Sequence, residues 1–323
     1  DLSGLPGWSR PVLSVVLSSF IAGIATAPFA AAQFNQVAHF GLIANVLSVP
    51  LMGALVMPAA VLAVCLTPFG LWEVGLWLME IGLQWILFVA ATVSAREGAV
   101  GHVWAPEWYV LPVLSFGLLW LILVSGRGRF AGIGVAICAL ILWQQTERPE
   151  LLVADNGSLM GLAGPQGRIL SKATGSGFIA GIWLENDGQP VPQEDAAARG
   201  GLVLGQRMTQ ARIGEWRVLQ VSGKTALAGL VGCNGADILI SNQMNDVRRP
   251  CAVYDIAQLR NTGALAFDLA PNGDLLIKTA HQLAGQRPWN MRQGDLPIPI
   301  RLSNMQRKRA ADATLFTENH LDQ

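Results

Sequence analysis

Apolar residues crowd the first 143 positions in five runs, at residues 11–32, 40–66, 71–93, 109–124 and 130–143. As helices, the first three are long enough to cross a hydrocarbon layer about 30 Å thick. The last two are short for a span. They are joined by Ser125-Gly126-Arg127-Gly128-Arg129, and two apolar helices linked by so tight a basic turn predict a transmembrane hairpin. Beyond residue 150 the pattern changes to short β-like runs bounded by glycines, at residues 151–154, 159–163, 168–171, 216–221, 227–231, 237–241, 252–256, 264–269 and 275–279. Gly164-Pro165-Gln166-Gly167 and Pro271-Asn272-Gly273-Asp274 read as turns, and a helix is expected around residues 177–185.

Charge sharpens this division. Only Glu73, Glu80, Arg96, Glu97 and Glu107 are charged between Arg10 and Arg127, whereas 33 of the chain's 44 charges lie from Glu150 onward. The formal net charge of zero therefore averages two unlike halves. The sequence predicts a multi-domain protein: an all-α polytopic membrane bundle over residues 1–146, a β-rich α/β domain over 147–300 and a polar tail over 301–323. Residues 1–32 lack the pattern of a removable signal peptide. The start on Asp1, without an initiator methionine, points to part of something longer.

Arg127 and Arg129 place the hairpin turn in the cytoplasm by the positive-inside rule, and the final span then delivers Glu147 and all that follows to the outside. Five spans put Arg10 inside. If residues 71–93 lie along the interface, the count is four and Arg10 moves outside. Trp104, Trp108 and Trp143 stand where an aromatic belt is expected.

Two runs carry polar or helix-disturbing residues. Glu73, Trp77, Glu80 and Gln84 share one helical face, and carboxylates are expensive in lipid, so this face must meet water, headgroups or protein. An amphipathic helix near the interface, a helix lining a hydrated passage and packing against further chain are all open. In the second run, Asn45, Pro50 and Pro58 imply a kinked or broken element, because proline removes a backbone donor and clashes with the preceding turn. Irregular backbone at membrane depth survives only inside protein or along a cavity.

Cys65 and Cys138 sit in apolar runs and read as small membrane-buried apolar residues. Cys233 and Cys251, 18 positions apart in the polar half, are too far apart for a CxxC metal hook. They are either two unlinked thiols or a disulfide, the latter favoured by an oxidising compartment.

The order Ala25-Thr26-Ala27-Pro28, then Phe34 to Leu51 with the string Phe40-Gly41-Leu42-Ile43-Ala44-Asn45 and Val49-Pro50-Leu51, followed by Pro58, resembles the membrane domain of the ComEC-type DNA-internalisation channel family. The Gly126 to Arg129 hairpin and the helix ending in Leu142-Trp143 resemble its proteobacterial branch. The likeness extends over essentially all 323 residues. It implies carriage of single-stranded DNA across the bacterial inner membrane during natural transformation. It further implies a lipid bilayer and other DNA-uptake proteins as partners, and a preceding part of the same protein.

The family's rear domain is often metallo-β-lactamase-like, and residues 150–157 and 232–241 resemble two of its strands, in a degenerate form. No HxHxDH motif follows the first. The second runs into Asn242-Gln243-Met244-Asn245-Asp246, without histidine. A dinuclear hydrolytic site needs several converging His and Asp ligands, and this half offers only His281 and His320. The expectation is a channel component with no enzymatic activity, metal or cofactor. The alternatives are a membrane-tethered metal-dependent nuclease and a non-catalytic envelope assembly protein. Lys278, Arg287, Trp289 and Arg292 form a candidate DNA-contact surface of cations and an aromatic. Against it stands the near balance of 17 basic and 16 acidic residues in this half.

Overall fold

A computed structural model describes residues 9–285 and 301–303, and the chain divides into two units, Asp1–Thr146 and Glu147–Gln323. In the first, α1 (Ser9–Phe34) leads through β1 (Gln36–Ala38) to α2 (Gly41–Leu51). A π turn over Met52–Val56 joins α2 to α3 (Met57–Leu66), and α4 (Trp72–Ser94), β2 (Val100–His102), α5 (Val110–Leu123) and α6 (Ala131–Gln144) follow. Three stretches, Val16–Phe34, Gly41–Phe69 and Trp72–Ser94, are long and apolar enough to cross a membrane. With 14 residues each, α5 and α6 reach only about 21 Å at 1.5 Å per residue, short of a full crossing.

The kinked or broken element expected at Pro50 and Pro58 takes the form of a bulge. Pro50 leaves the Val46 carbonyl without its helical donor, and Pro58 does the same to Ala54. Between them the helix widens, with Met57 N–H bonding five residues back to Met52 O. That widening gives the Pro58 ring room and lets one helix continue through both prolines.

Helices in this unit meet where side chains are absent. On α4, Gly75, Gly82 and Val89 are buried at intervals of seven, against Val56, Ala59 and Ala63, also buried. A Cβ on Gly75 would lie 2.4 Å from Ala63 N, and one on Gly82 would lie 2.5 Å from Val56 Cγ2. The α5–α6 hairpin closes the same way: a Cβ on Gly117 would lie 2.8 Å from Ala136 N, and one on Gly132 would lie 2.5 Å from Gly117 O. Lipid supplies no hydrophobic drive between helices, so this backbone-to-backbone proximity holds them. Trp120 Nε1 donates to Gly128 O at 3.1 Å and pins the basic turn.

In the second unit, β3 (Leu151–Val153), β4 (Met160–Leu162) and β5 (Ile169–Leu170) precede α7 (Gly177–Asn186) and α8 (Gln193–Ala198). Then come β6 (Val203–Gly205), β7 (Met208–Ile213), β8 (Trp216–Val221), α9 (Lys224–Ala228), β9 (Ile238–Ser241), β10 (Ala252–Tyr254), α10 (Ile256–Thr262), β11 (Leu265–Leu269), β12 (Leu275–Thr279), α11 (Ala280–Ala284) and β13 (Arg301–Leu302). One sheet has the order β13-β12-β11-β3-β4-β5 and is antiparallel. The other has the order β10-β9-β8-β7-β6, with β8, β9 and β10 parallel.

Strand alternation sorts the side chains into layers. Val218 and Ile240 join Leu151, Met160 and Phe267 in the core between the sheets. Their neighbours Leu219 and Leu239 point outward to Leu227 of α9, while Leu159 and Leu170 pack against Ala180, Trp183 and Leu184 of α7 on the opposite outer face. Two sheets thus lie between two helical layers. The strand expected at residues 227–231 is instead the end of α9 and a turn, because only Leu227 there is buried. Strand pairing reaches Arg301–Leu302, two residues into the expected tail.

Arg168, 1% exposed, donates to Asp187 at 2.5 Å, to Gly161 O at 3.0 Å and to Pro149 O at 3.1 Å. Arg148 meets the same carboxylate at 2.7 Å. The end of α7 and the entry to β3 are clamped by this cluster. Removing one partner of a buried pair costs about 3–5 kcal/mol, so Asp187→Ala should lower the unfolding free energy by that order, and Arg168→Met with Asp187→Leu by much less. Denaturant titration of detergent-solubilised protein reads the difference. Gly117→Leu should separate α5 from α6 and lower the melting temperature, whereas the same change at Gly134, with open space around it, should not.

Burial, and secondarily Asp268, push the Glu150 carboxyl above its ordinary range. A carboxyl raised in the folded state contributes stability that is present below the unfolded pKa and lost as pH rises through the folded one. Glu150→Gln should therefore raise the melting temperature at neutral pH and leave it unchanged in acid.

Candidate functional site

At the junction of α1 and α2, Asn35 takes a left-handed conformation, φ 55°, and turns the chain out of α1. Residues 36–38 then pair antiparallel with 100–102, Gln36 opposite His102 and Ala38 opposite Val100. Val103 N donates to Asn35 O at 3.0 Å and His39 N to Ala99 O at 2.9 Å, which extends the ribbon at both ends. The His39 ring donates from Nδ1 to Gly98 O at 2.7 Å and lies over Gly101, where a Cβ would come within 2.6 Å of Nε2.

Beside this ribbon a groove of about 470 Å³ opens between α1 and α2. Its polar lining is Ser19, Thr26, Gln36, His39 and Asn45. These are hydroxyl, amide and imidazole groups, and no carboxylate is among them. The Thr26 hydroxyl donates to Ala22 O at 2.8 Å, which leaves its lone pairs toward the groove. Asn45 is exposed, with no side-chain partner among the described residues. Across α1 a second, apolar cavity of about 570 Å³ is bounded by Pro28, Ala31, Val103, Trp104, Leu140 and Trp143. Ala27 and Val37 line both. The small residues of the Ala25 to Pro28 segment keep α1 thin enough to have a hollow on either side.

Of the predicted residues, Asn45 reaches the groove and Pro50 and Pro58 bracket the π turn beyond it. Trp85 Nε1 donates to Leu47 O at 3.2 Å, next to the carbonyl that Pro50 leaves without its donor. Glu73, Glu80 and Gln84 are elsewhere. At 100° per residue they stand about 160° around α4 from the Gly75 and Gly82 seam, they are exposed, and Gln84 donates to Glu80 at 3.1 Å. They do not line the groove. Ser19, Thr26, Gln36 and His39 escaped sequence reasoning because each reads as an ordinary polar residue until the ribbon folds the α1–α2 junction back.

The ribbon also bears on how α4 lies in a bilayer. Joining the end of α1 to the segment after α4 requires both to emerge on one side of any bilayer. Two crossings, by Gly41–Phe69 and Trp72–Ser94, satisfy this, and α4 lying along the interface does not. The α5–α6 hairpin returns the chain to the side that it left, and Trp143 Nε1 donates to Trp104 O at 2.8 Å there. On that topology residue 146 emerges on the ribbon side.

In the second unit, Cys233 and Cys251 form a disulfide with Cα atoms 6.3 Å apart, while Cys65 and Cys138 are free. Where β9 ends, Asn242 Oδ1 accepts from Gly223 N at 2.8 Å and Ser241 Oγ from Gln243 N at 3.1 Å, so the polar residues there brace backbone. Among the described residues no three His, Cys, Asp or Glu side chains gather to hold a metal. Lys278 is ion-paired with Asp268 at 2.9 Å, and His281 bonds Asn261 O at 2.5 Å. Arg287, Trp289, Arg292 and His320 lie outside the described residues.

Residues 2–129 match the family described as Competence protein, which bears out the family resemblance over that region. No curated protein and no solved structure matches the chain.

The side assignment has a direct check. In sealed vesicles, a membrane-impermeant maleimide should label Glu97→Cys and Gln145→Cys from the same face and Phe69→Cys from the other, in a background with Cys65 and Cys138 replaced by Ser. Labelling of the first two from opposite faces would exclude the arrangement.

Proposed function

We propose, taking residues 2–129 as a Competence protein module, that this chain is part of a bacterial inner-membrane path for single-stranded DNA taken up in natural transformation. The family match suggests a role in DNA uptake. The groove between α1 and α2 is the observation that carries the finer reading: residues with which the sequence resembles ComEC-type channels line it with polar groups, and the amides of Gln36 and Asn45 among them can donate hydrogen bonds. A phosphate strand needs donors without carboxylates at close range, and Glu73 and Glu80 stand away from this hollow. The DNA path therefore runs along α1 and α2, and the acidic face of α4 meets water, headgroups or neighbouring protein, including other DNA-uptake proteins and a preceding part of the same chain.

The ribbon side is then the periplasm. A disulfide in the unit that follows residue 146 supports this, because disulfides persist in oxidising compartments, and Arg127 and Arg129 at the hairpin tip favour the cytoplasm. Two sheets between helical layers are consistent with a degenerate metallo-β-lactamase-like domain. With Asn242 and Gln243 in place of a histidine loop, it serves without metal or hydrolytic chemistry.

Asn45→Leu removes an amide from the groove without touching the ribbon. A hydrogen bond to a charged group is worth about 1.5–3 kcal/mol, so transformation frequency should fall by about tenfold or more, with surface-bound double-stranded DNA unchanged. An unchanged frequency would remove the groove from the path. Purified protein supplied with Zn²⁺ or Mn²⁺ should not cleave DNA, and metal-dependent cleavage lost on chelation would favour the nuclease reading instead.

A further inference from the structure

The α5–α6 hairpin is short for a bilayer, and its tip is basic. Its arms leave Phe116, Leu119, Ile133 and Ile137 exposed, an apolar girdle that calls for hydrocarbon around it. Helices of 14 residues each reach about 21 Å, so residues 124–130 make up the last stretch, about 9 Å of a layer about 30 Å thick. Arg127 and Arg129 fall in that turn, both exposed. No ion pair joins either guanidinium to a carboxylate among the described residues, and the sequence from Trp108 to Thr146 holds no Asp or Glu. The turn itself is fixed. Trp120 Nε1 donates to Gly128 O, between the two arginines, at 3.1 Å, and Arg129 N donates to Gly126 O at 3.4 Å.

We propose that Arg127 and Arg129 form a binding site for the phosphates of anionic phospholipids in the leaflet opposite the ribbon. A guanidinium keeps its charge in proteins, and leaving it unpaired at the edge of hydrocarbon is expensive. A headgroup phosphate drawn inward removes that cost, because its oxygens match the guanidinium fork and a short hairpin favours a locally thinned bilayer. The surroundings of the arginines select a lipid over a nucleic-acid strand. Ile122, Leu123 and Phe130 beside the turn are 71%, 76% and 60% exposed, and a phosphate that carries acyl chains covers them, whereas a DNA phosphate leaves them in water. The uncompensated positive charge selects an anionic lipid, since a zwitterionic headgroup brings a cation of its own. Two residues apart in a turn of three residues per turn, the arginines stand about 120° from each other, so each takes a separate phosphate.

The test uses the full chain with Cys65→Ser and Cys138→Ser, a fluorophore on Ser125→Cys, and phosphatidylcholine nanodiscs, which leave both faces open. The discs carry a trace of nitroxide-labelled phosphatidylglycerol or, at the same mole fraction, nitroxide-labelled phosphatidylcholine. Quenching should report phosphatidylglycerol enriched about fivefold or more at the tip, and Arg127→Gln with Arg129→Gln should abolish the preference. Labelled phosphatidylcholine should quench both proteins alike, which shows that the substituted tip still lies at the membrane. Equal quenching by the two lipids with both arginines present overturns the proposal, as does a preference that survives the double substitution. A single-stranded oligonucleotide that displaces the labelled phosphatidylglycerol also overturns it and assigns the tip to nucleic acid.

Discussion

Backbone pairing between Gln36–Ala38 and Val100–His102 ties together two places far apart in the chain, and the membrane unit is organised around that tie. It brings the end of α1 to the segment after α4, requires an even number of crossings between them, and folds the α1–α2 junction so that His39 lies over Gly101. The groove follows from it, since Gln36 and His39 face the hollow only because the ribbon turns the chain back. Short as it is, the ribbon satisfies backbone donors and acceptors that would otherwise be left bare near hydrocarbon.

Everything else in this unit obeys the same accounting of backbone groups. Glycines at Gly75, Gly82, Gly117 and Gly132 let helices approach until a single Cβ would collide. Prolines remove donors, and the helix responds with a π turn. The seam on one side of α4 leaves the Glu73, Glu80 and Gln84 face on the other, so their exposure is a consequence of where the glycines lie.

Element positions in the membrane half were legible because apolar runs and their interruptions are a strong signal: all five helical stretches lie where hydropathy puts them. Less visible was what prolines do in context, since a lone sequence does not show whether the next turn widens. In the second half, buried strands such as Ile238–Ser241 announce themselves, whereas Met208–Ile213 hides behind Thr209 and Arg212, its inward positions diluted by a buried threonine. Residues 227–231 look like a strand because Leu, Ala and Val recur, yet only Leu227 is buried, with Leu230 half-buried beside it. The groove itself was half legible. Asn45 stood out as an amide in an apolar run, but the partners that make it a site arrive through strand pairing between distant segments, which composition and periodicity do not encode.

The Arg148–Asp187–Arg168 clamp gives one carboxylate two guanidinium partners. Neither arginine can keep its place if that carboxylate leaves, so the entry to β3 and the end of α7 share a single point of failure. This edge of the second unit therefore opens as one piece and does not fray residue by residue.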